Sequence, residues 1–123
     1  VQGGKKVIKV TVFDNIDVMR SVYPSANDST RIAWAQENEN KCGYCVFSAD
    51  GEILEINDSD NVSELLVRSA LNYLDLRNVK RGICRSARLV PFLLALGFSE
   101  KDGAAEVFIP DFFKPCCSKN SKK

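Results

Sequence analysis

The stretch that decides the fold is KCGYCVFSADGEILEIN, residues 41–57. Two runs rich in apolar residues, Lys41–Ala49 and Glu52–Asn57, flank the dipeptide Asp50-Gly51. Asp-Gly between two such runs is a strong hairpin signal, because these residues accept the backbone angles that a tight turn requires. We therefore predict an antiparallel hairpin at the centre of the chain.

Three segments precede this hairpin. KKVIKVTVF, residues 5–13, alternates and is rich in β-branched residues, which predicts a strand. Residues 16–23 follow a polar capping residue and predict a short helix that ends at Pro24. RIAWAQ, residues 31–36, fits either a strand or a helical turn.

Helices and strands alternate after the hairpin. The predicted elements are helix 62–76, strand 80–84, helix 88–96 and strand 105–109. Asn61 and Glu64 fit a capping box at the start of the first helix, and Gly97 suits the end of the second. The order β-α-(turn)-β-β-α-β-α-β predicts an α/β (α+β) fold with a mixed sheet. In it the central antiparallel hairpin is followed by a parallel βαβ unit, whose second strand, 80–84, splays from 52–57.

Length and composition limit the possible functions. We expect 123 residues to form a single domain over 1–123, and the net charge of +1 argues against nucleic-acid binding. The chain has no histidine, which excludes imidazole catalysis and mixed Cys/His zinc sites. Proton transfer must therefore use carboxylates, Tyr, Cys, Lys, water or the backbone.

The sequence shows no targeting or membrane segment. The longest apolar stretch, 89–98, is interrupted by Pro91 and Gly97, and it is about half the length that a bilayer-spanning helix needs. The first residues show no signal peptide. We expect a cytoplasmic protein without membrane contact, with residues 114–123 as a flexible tail.

Five cysteines, an odd number, argue against a disulfide framework. Cys42 and Cys45 form a C-x-x-C within a predicted strand, where residues three apart face opposite sides of the sheet. We interpret them, with Cys84, as buried small hydrophobic residues, with functional thiols as the alternative. The vicinal pair Cys116-Cys117 precedes a polar tail, and we expect it to be reactive, with soft-metal binding or oxidation as possible roles.

Three segments together resemble the GNAT superfamily of N-acyltransferases. Residues 41–57 are similar to its central hairpin, whose second strand binds acyl-CoA, and 63–80 to the long helix that follows. Within 84–98, the pair Gly97-Phe98 falls where the family commonly has Gly-Phe after a short helix. The resemblance covers roughly half of the chain and depends on order and spacing more than on fixed residues.

The resemblance implies transfer of an acyl group from acetyl-CoA or another acyl-CoA to a small-molecule or peptide amine. Glu55 would be the general base, a backbone N–H near Ile56 would polarise the acyl carbonyl, and Tyr44 would line the acceptor pocket. The implied cofactor-binding residues are Ile56, Asn57, Asn61, Val62, Ser63, Arg85 and Arg88. No metal is implied, and the oligomeric state stays open.

The chain departs from the family pattern in three places. The family binds the CoA pyrophosphate with a loop rich in Gly and containing Arg or Gln, whereas residues 57–63 contain neither glycine nor arginine. Asp58 and Asp60 in this loop would repel a pyrophosphate, so we expect weak CoA binding. The family's catalytic Tyr and its helix-start Asn are replaced by Leu93 and Ser86.

Several simpler interpretations stay open. Glu55 fits a solvated strand residue, Arg85 and Arg88 fit a solvated basic face, and the helix start at Asn61 fits a self-capped end that binds no anion. Tyr44 also fits cross-strand packing. At the level of function, the alternatives are a degenerate, non-catalytic GNAT-like binding module and a cysteine-based metal or redox protein.

Overall fold

The computed structural model describes residues 8–38, 40–58 and 62–113. Strands and helices follow the predicted order, with two additional short elements near the end of the chain. In chain order they are β1 (Ile8–Phe13), α1 (Ile16–Val22), β2 (Thr30–Glu37), β3 (Asn40–Ser48), β4 (Ile53–Asp58), α2 (Ser63–Leu76), β5 (Arg81–Cys84), α3 (Val90–Leu96), β6 (Ser99–Lys101), β7 (Ala104–Phe108) and α4 (Ile109–Phe112).

The strands form two antiparallel sheets, one with the order β1-β2-β3-β4 and one with the order β5-β7-β6. Helix α2 packs on one face of the first sheet, and its apolar stripe, including Leu66, Ala70 and Leu74, lies in the main core. Helix α1 packs on the opposite face over a smaller core of Met19, Ala26, Ile32 and Val46. No helix in the described ranges is long and apolar enough to cross a membrane.

The predicted hairpin is confirmed, since β3 and β4 pair antiparallel. The predicted parallel βαβ unit is not formed as paired strands, because β4 and β5 belong to different sheets. They share one parallel bridge, between Glu52 and Ile83. The reason is the length of β5: it ends at Cys84, one residue beyond the bridge, where the chain turns towards α3. The two strands therefore meet at one end and part at the other.

Gly51 lies at the closed end of the junction between β4 and β5, next to the bridge where the two strands meet. Its carbonyl accepts a hydrogen bond from the Ile83 N–H at 2.9 Å, and its φ of 114° lies in the region that favours glycine. A Cβ atom at this position would lie 2.3 Å from the carbonyl oxygen of Arg81. The turn glycine predicted from the sequence is therefore also the residue that allows close approach of β5.

A β-bulge in each hairpin strand changes which side chains share a face. In β4, Val46 opposes Glu55 and Phe47 opposes Ile53, so Leu54 is the additional residue. Leu54 packs against the α1-side core, and the neighbouring Glu55 lies on that same side. The bulge therefore places two consecutive side chains on one face of the sheet.

The second bulge corrects the prediction for Cys42 and Cys45. Ala35 opposes Gly43 and Gln36 opposes Lys41, which leaves Cys42 as the additional residue in β3. Because a bulge resets the alternation of side chains, Cys42 and Cys45 do not face opposite sides but lie in the same buried core. Neither cysteine is part of a disulfide.

Several element boundaries differ from those predicted. The ambiguous segment 31–36 lies in β2, and β6 and α4 were not predicted from the sequence. Helix α2 has Val62, not Asn61, in its N-cap position, because the buried Val62 side chain anchors the helix start in the core. Asn61 and the tail 114–123 lie outside the described residues. Gly97 ends α3 as predicted, with a φ of 116°.

Candidate functional site

β4 diverges from β5 and is the last strand of its sheet, so one of its edges has no partner strand within the described part of the chain. The Ile56 side chain is buried in the main core, while its carbonyl oxygen accepts a hydrogen bond from Arg88 Nη2 at 3.3 Å. Arg88 belongs to the segment between β5 and α3, so the carbonyl points into the opening, the gap that forms where β4 and β5 diverge, and away from β3. In an extended strand the N–H and C=O of one residue point to the same edge, so the Ile56 N–H points into the opening as well.

Glu55 lies beside this peptide on the α1 side of the sheet. The hydroxyl of Tyr44 donates a hydrogen bond to Glu55 Oε2 at 3.2 Å. Burial raises the pKa of Tyr44, the negative charge and hydrogen bond of Glu55 raise it further, and a hydrogen bond with Asn57 opposes them. Tyr44 therefore stays a neutral phenol at physiological pH, and it donates to the carboxylate and holds it in place.

Trp34 and Lys41 extend this site across the sheet. The ring of Trp34, which opposes Tyr44 on β2, lies 5.8 Å from the Tyr44 ring, and Lys41 Nζ lies 4.4 Å from the centre of the Trp34 ring. Trp34 Nε1 is buried without a hydrogen-bond partner among the described residues. The sequence alone does not indicate Trp34 or Lys41, because residues 31–36 fit either a strand or a helical turn and their register with β3 depends on the tertiary structure.

An ion pair lies at the closed end of the opening. Arg85 Nη1 lies 3.1 Å from Glu52 Oε2, next to the bridge between Glu52 and Ile83. A polar cleft of about 300 Å³ adjoins Arg85 on the second sheet. Its lining consists of Ile83, Arg85, Lys101, Asp102, Gly103, Ala104 and Glu106.

The structure thus brings together most of the residues that the sequence singled out. Tyr44, Glu55 and Asn57 lie on one face of the hairpin, and Arg88 reaches the Ile56 peptide from the segment between β5 and α3. Arg85 is engaged at the closed end with Glu52. At the start of α2, the Val62 side chain is buried and the Ser63 side chain is half-buried.

The three described cysteines are shielded from solvent. Cys42, Cys45 and Cys84 are at most 1% exposed. Burial raises the pKa of the Cys45 thiol strongly, with a smaller contribution from Cys84, and burial also raises the pKa of Cys84. Within the described ranges, no group of three or more Cys, Asp or Glu side chains is arranged to hold a metal ion.

We expect these three thiols to resist alkylation in the native protein, since reaction requires an accessible thiolate. Brief iodoacetamide treatment followed by peptide mass mapping should label Cys116 or Cys117 first, and Cys42, Cys45 and Cys84 only after denaturation. The same map after unfolding in urea is the control for intrinsic reactivity. Early labelling of Cys42 or Cys45 would contradict the core packing of β3.

Comparison with known proteins identifies the fold. No protein-family model matches the sequence, and no curated protein matches it significantly. A GNAT-family protein from Desulfovibrio desulfuricans has a TM-score of 0.63 at 10% identity, covering 84% of this chain and 99% of that one. YhhK from E. coli, solved bound to coenzyme A, has a TM-score of 0.62 at 16% identity, covering 83% of this chain and 98% of YhhK.

A third structure is the PaiA N-acetyltransferase from Thermoplasma acidophilum in complex with coenzyme A. It has a TM-score of 0.54 at 14% identity, and the match covers 75% of this chain and 67% of PaiA. The chain therefore has the α+β fold of GNAT acetyltransferases, which confirms the resemblance seen in the sequence.

Proposed function

We propose that this protein is an acyl-CoA-dependent N-acyltransferase. The observation that carries the proposal is the position of the Ile56 peptide. The bulged strand β4, whose edge is open, directs this peptide into the gap between the two sheets, next to Glu55. Two of the structures that share this fold were solved with coenzyme A. A further argument is that no covalent enzyme intermediate is needed, which suits a chain without histidine.

The open edge of β4 fits the donor chemically. The pantetheine part of acyl-CoA is an extended chain with two amides, and an open strand edge binds such chains through alternating main-chain hydrogen bonds. The Ile56 N–H would donate to the thioester carbonyl and stabilise the negative charge that develops on it. Asn57, Arg85, Arg88 and the main chain of residues 61–63 would provide further contacts to the donor, the arginines through its phosphates.

Glu55 would act on the acceptor from the other face of β4. An amine is protonated at neutral pH, and Glu55 would remove this proton so that the nitrogen lone pair attacks the carbonyl carbon. The new C–N bond forms as the C–S bond breaks, the nitrogen then loses its second proton to water, and the departing thiolate takes a proton from water. Tyr44 would position Glu55, and the rings of Tyr44 and Trp34 would line the acceptor side.

Two measurements on the wild-type protein test this proposal. Addition of CoA to ¹⁵N-labelled protein should shift the amide resonance of Ile56 and of its neighbours in β4. Incubation with acetyl-CoA and a panel of primary amines should release free CoA thiol at a rate that depends on the amine. Binding without turnover would favour the non-catalytic binding module, and absence of binding would refute the proposal.

The acidic loop provides a further prediction. Because the family resemblance puts the loop that contains Asp58 and Asp60 where a pyrophosphate would bind, we expect weak CoA affinity at low salt. Replacing both residues with glycine should tighten CoA binding by about tenfold in calorimetry. The control is S-acetylpantetheine, which has no phosphate and should bind the two proteins equally. A wild-type dissociation constant in the low micromolar range would contradict the repulsion.

A further inference from the structure

One side chain reaches the proposed donor site from the side of the second sheet. Arg88 is exposed and lies in the segment between β5 and α3, and its Nη2 donates to the Ile56 carbonyl across the gap between the sheets. None of the ion pairs among the described residues includes Arg88, whereas Arg85, three residues earlier, pairs with Glu52. The Arg88 guanidinium instead donates to a main-chain carbonyl of β4, 32 residues away in sequence.

The Ile56 carbonyl is also a group that an extended amide ligand would use. A strand edge offers N–H and C=O groups in alternation, and a chain lying along the edge must fill the space beside them. A guanidinium 3.3 Å from the carbonyl oxygen occupies that space. Arg88 and a ligand amide therefore cannot both lie beside Ile56.

We propose that Arg88 competes with the acyl donor for the open edge of β4. The Arg88 guanidinium covers this edge at Ile56 until the donor displaces it. This inference rests on the proposed function, because it takes the β4 edge as the donor site. An unpaired strand edge is prone to pair with other chains, and a charged group on it prevents this. A hydrogen bond from an exposed guanidinium is weak enough for a ligand with several hydrogen bonds to replace.

The test uses a donor fragment without phosphates. S-acetylpantetheine keeps the thioester and both amides, so its affinity depends on contacts with the β4 edge and not on any contact between Arg88 and a phosphate. We expect Arg88→Met, which keeps the apolar stem, to bind it about three- to tenfold more tightly than wild type in an NMR titration. Lys9→Met removes one positive charge on β1, three strands away from β4, and should leave the affinity unchanged.

The remaining outcomes separate this inference from the proposed function. If Arg88→Met binds S-acetylpantetheine as weakly as wild type, or more weakly, Arg88 does not compete with the donor. A loss of CoA affinity in the same variant would not change this conclusion, because it indicates only a contact between Arg88 and a phosphate. Wild-type binding of CoA would then leave the proposed function intact. If wild type and variant bind neither ligand, both proposals fail. Thermal unfolding of the variants, which should match wild type, shows that each is folded.

Discussion

Replacing Gly51 with alanine is expected to lower the free energy of unfolding by about 3 kcal/mol or more. The residue has a φ of 114°, and an added Cβ would lie 2.3 Å from the carbonyl oxygen of Arg81, so the backbone of β5 would have to move. That movement would stretch the hydrogen bond from the Ile83 N–H to the Gly51 carbonyl, which holds the two sheets together at their closed end.

Gly103 provides the matched control. It also has a positive φ, of 82°, but an added Cβ would have no atom within 4 Å. Gly103→Ala should therefore lower the free energy of unfolding only by the cost of a positive φ at a residue with a Cβ atom, about 1 kcal/mol. Urea unfolding followed by circular dichroism measures both variants. Equal losses in the two would show that the contact between Gly51 and Arg81 does not determine the stability of the junction.

Replacing Glu55 with glutamine is expected to reduce the rate of acyl transfer about 10²- to 10⁴-fold, the usual range for loss of a general base. The amide keeps the size of the side chain and still accepts the hydrogen bond from Tyr44, so the fold and donor binding should persist. The measurement is CoA release with the best amine found in the panel. Because a carboxylate can accept the proton and an amide cannot, the loss should appear in the turnover rate and not in the affinity for the donor.

Two further variants make the result specific. Glu100→Gln removes an exposed carboxylate on β6, in the other sheet, and should leave the rate unchanged. Tyr44→Phe removes the hydroxyl that positions Glu55 and should cause an intermediate loss, of about tenfold. Full activity of Glu55→Gln with intact donor binding would show that the proton leaves through water and not through Glu55.

The sequence was most informative where one local signal determined the structure. Asp50-Gly51 correctly predicted the β3–β4 hairpin, and Gly97 correctly predicted the end of α3. These features depend on backbone angles that few residues adopt, so the residue type is close to sufficient.

The bulges could not be predicted in the same way. The additional residues Leu54 and Cys42 have no distinctive type, and the bulges exist because the neighbouring strands impose their register. The placement of Glu55 beside Tyr44 and of Cys42 within the main core therefore depends on tertiary structure. The same holds for Arg88, whose contact with Ile56 spans 32 residues and leaves no pattern in either segment.

The main core has a consequence for how the molecule unfolds. Although the strands form two sheets joined by a single bridge, one buried cluster contains Ala33 and Ile56 from the first sheet together with Cys84 and Val107 from the second. Neither sheet can be exposed without opening the packing of the other. We expect a single cooperative transition, with the same midpoint for Trp34 fluorescence on the first sheet and for amide protection of β7 on the second. The gap between β4 and β5 is then a fixed feature of one folding unit, and it is no hinge between two independently moving halves.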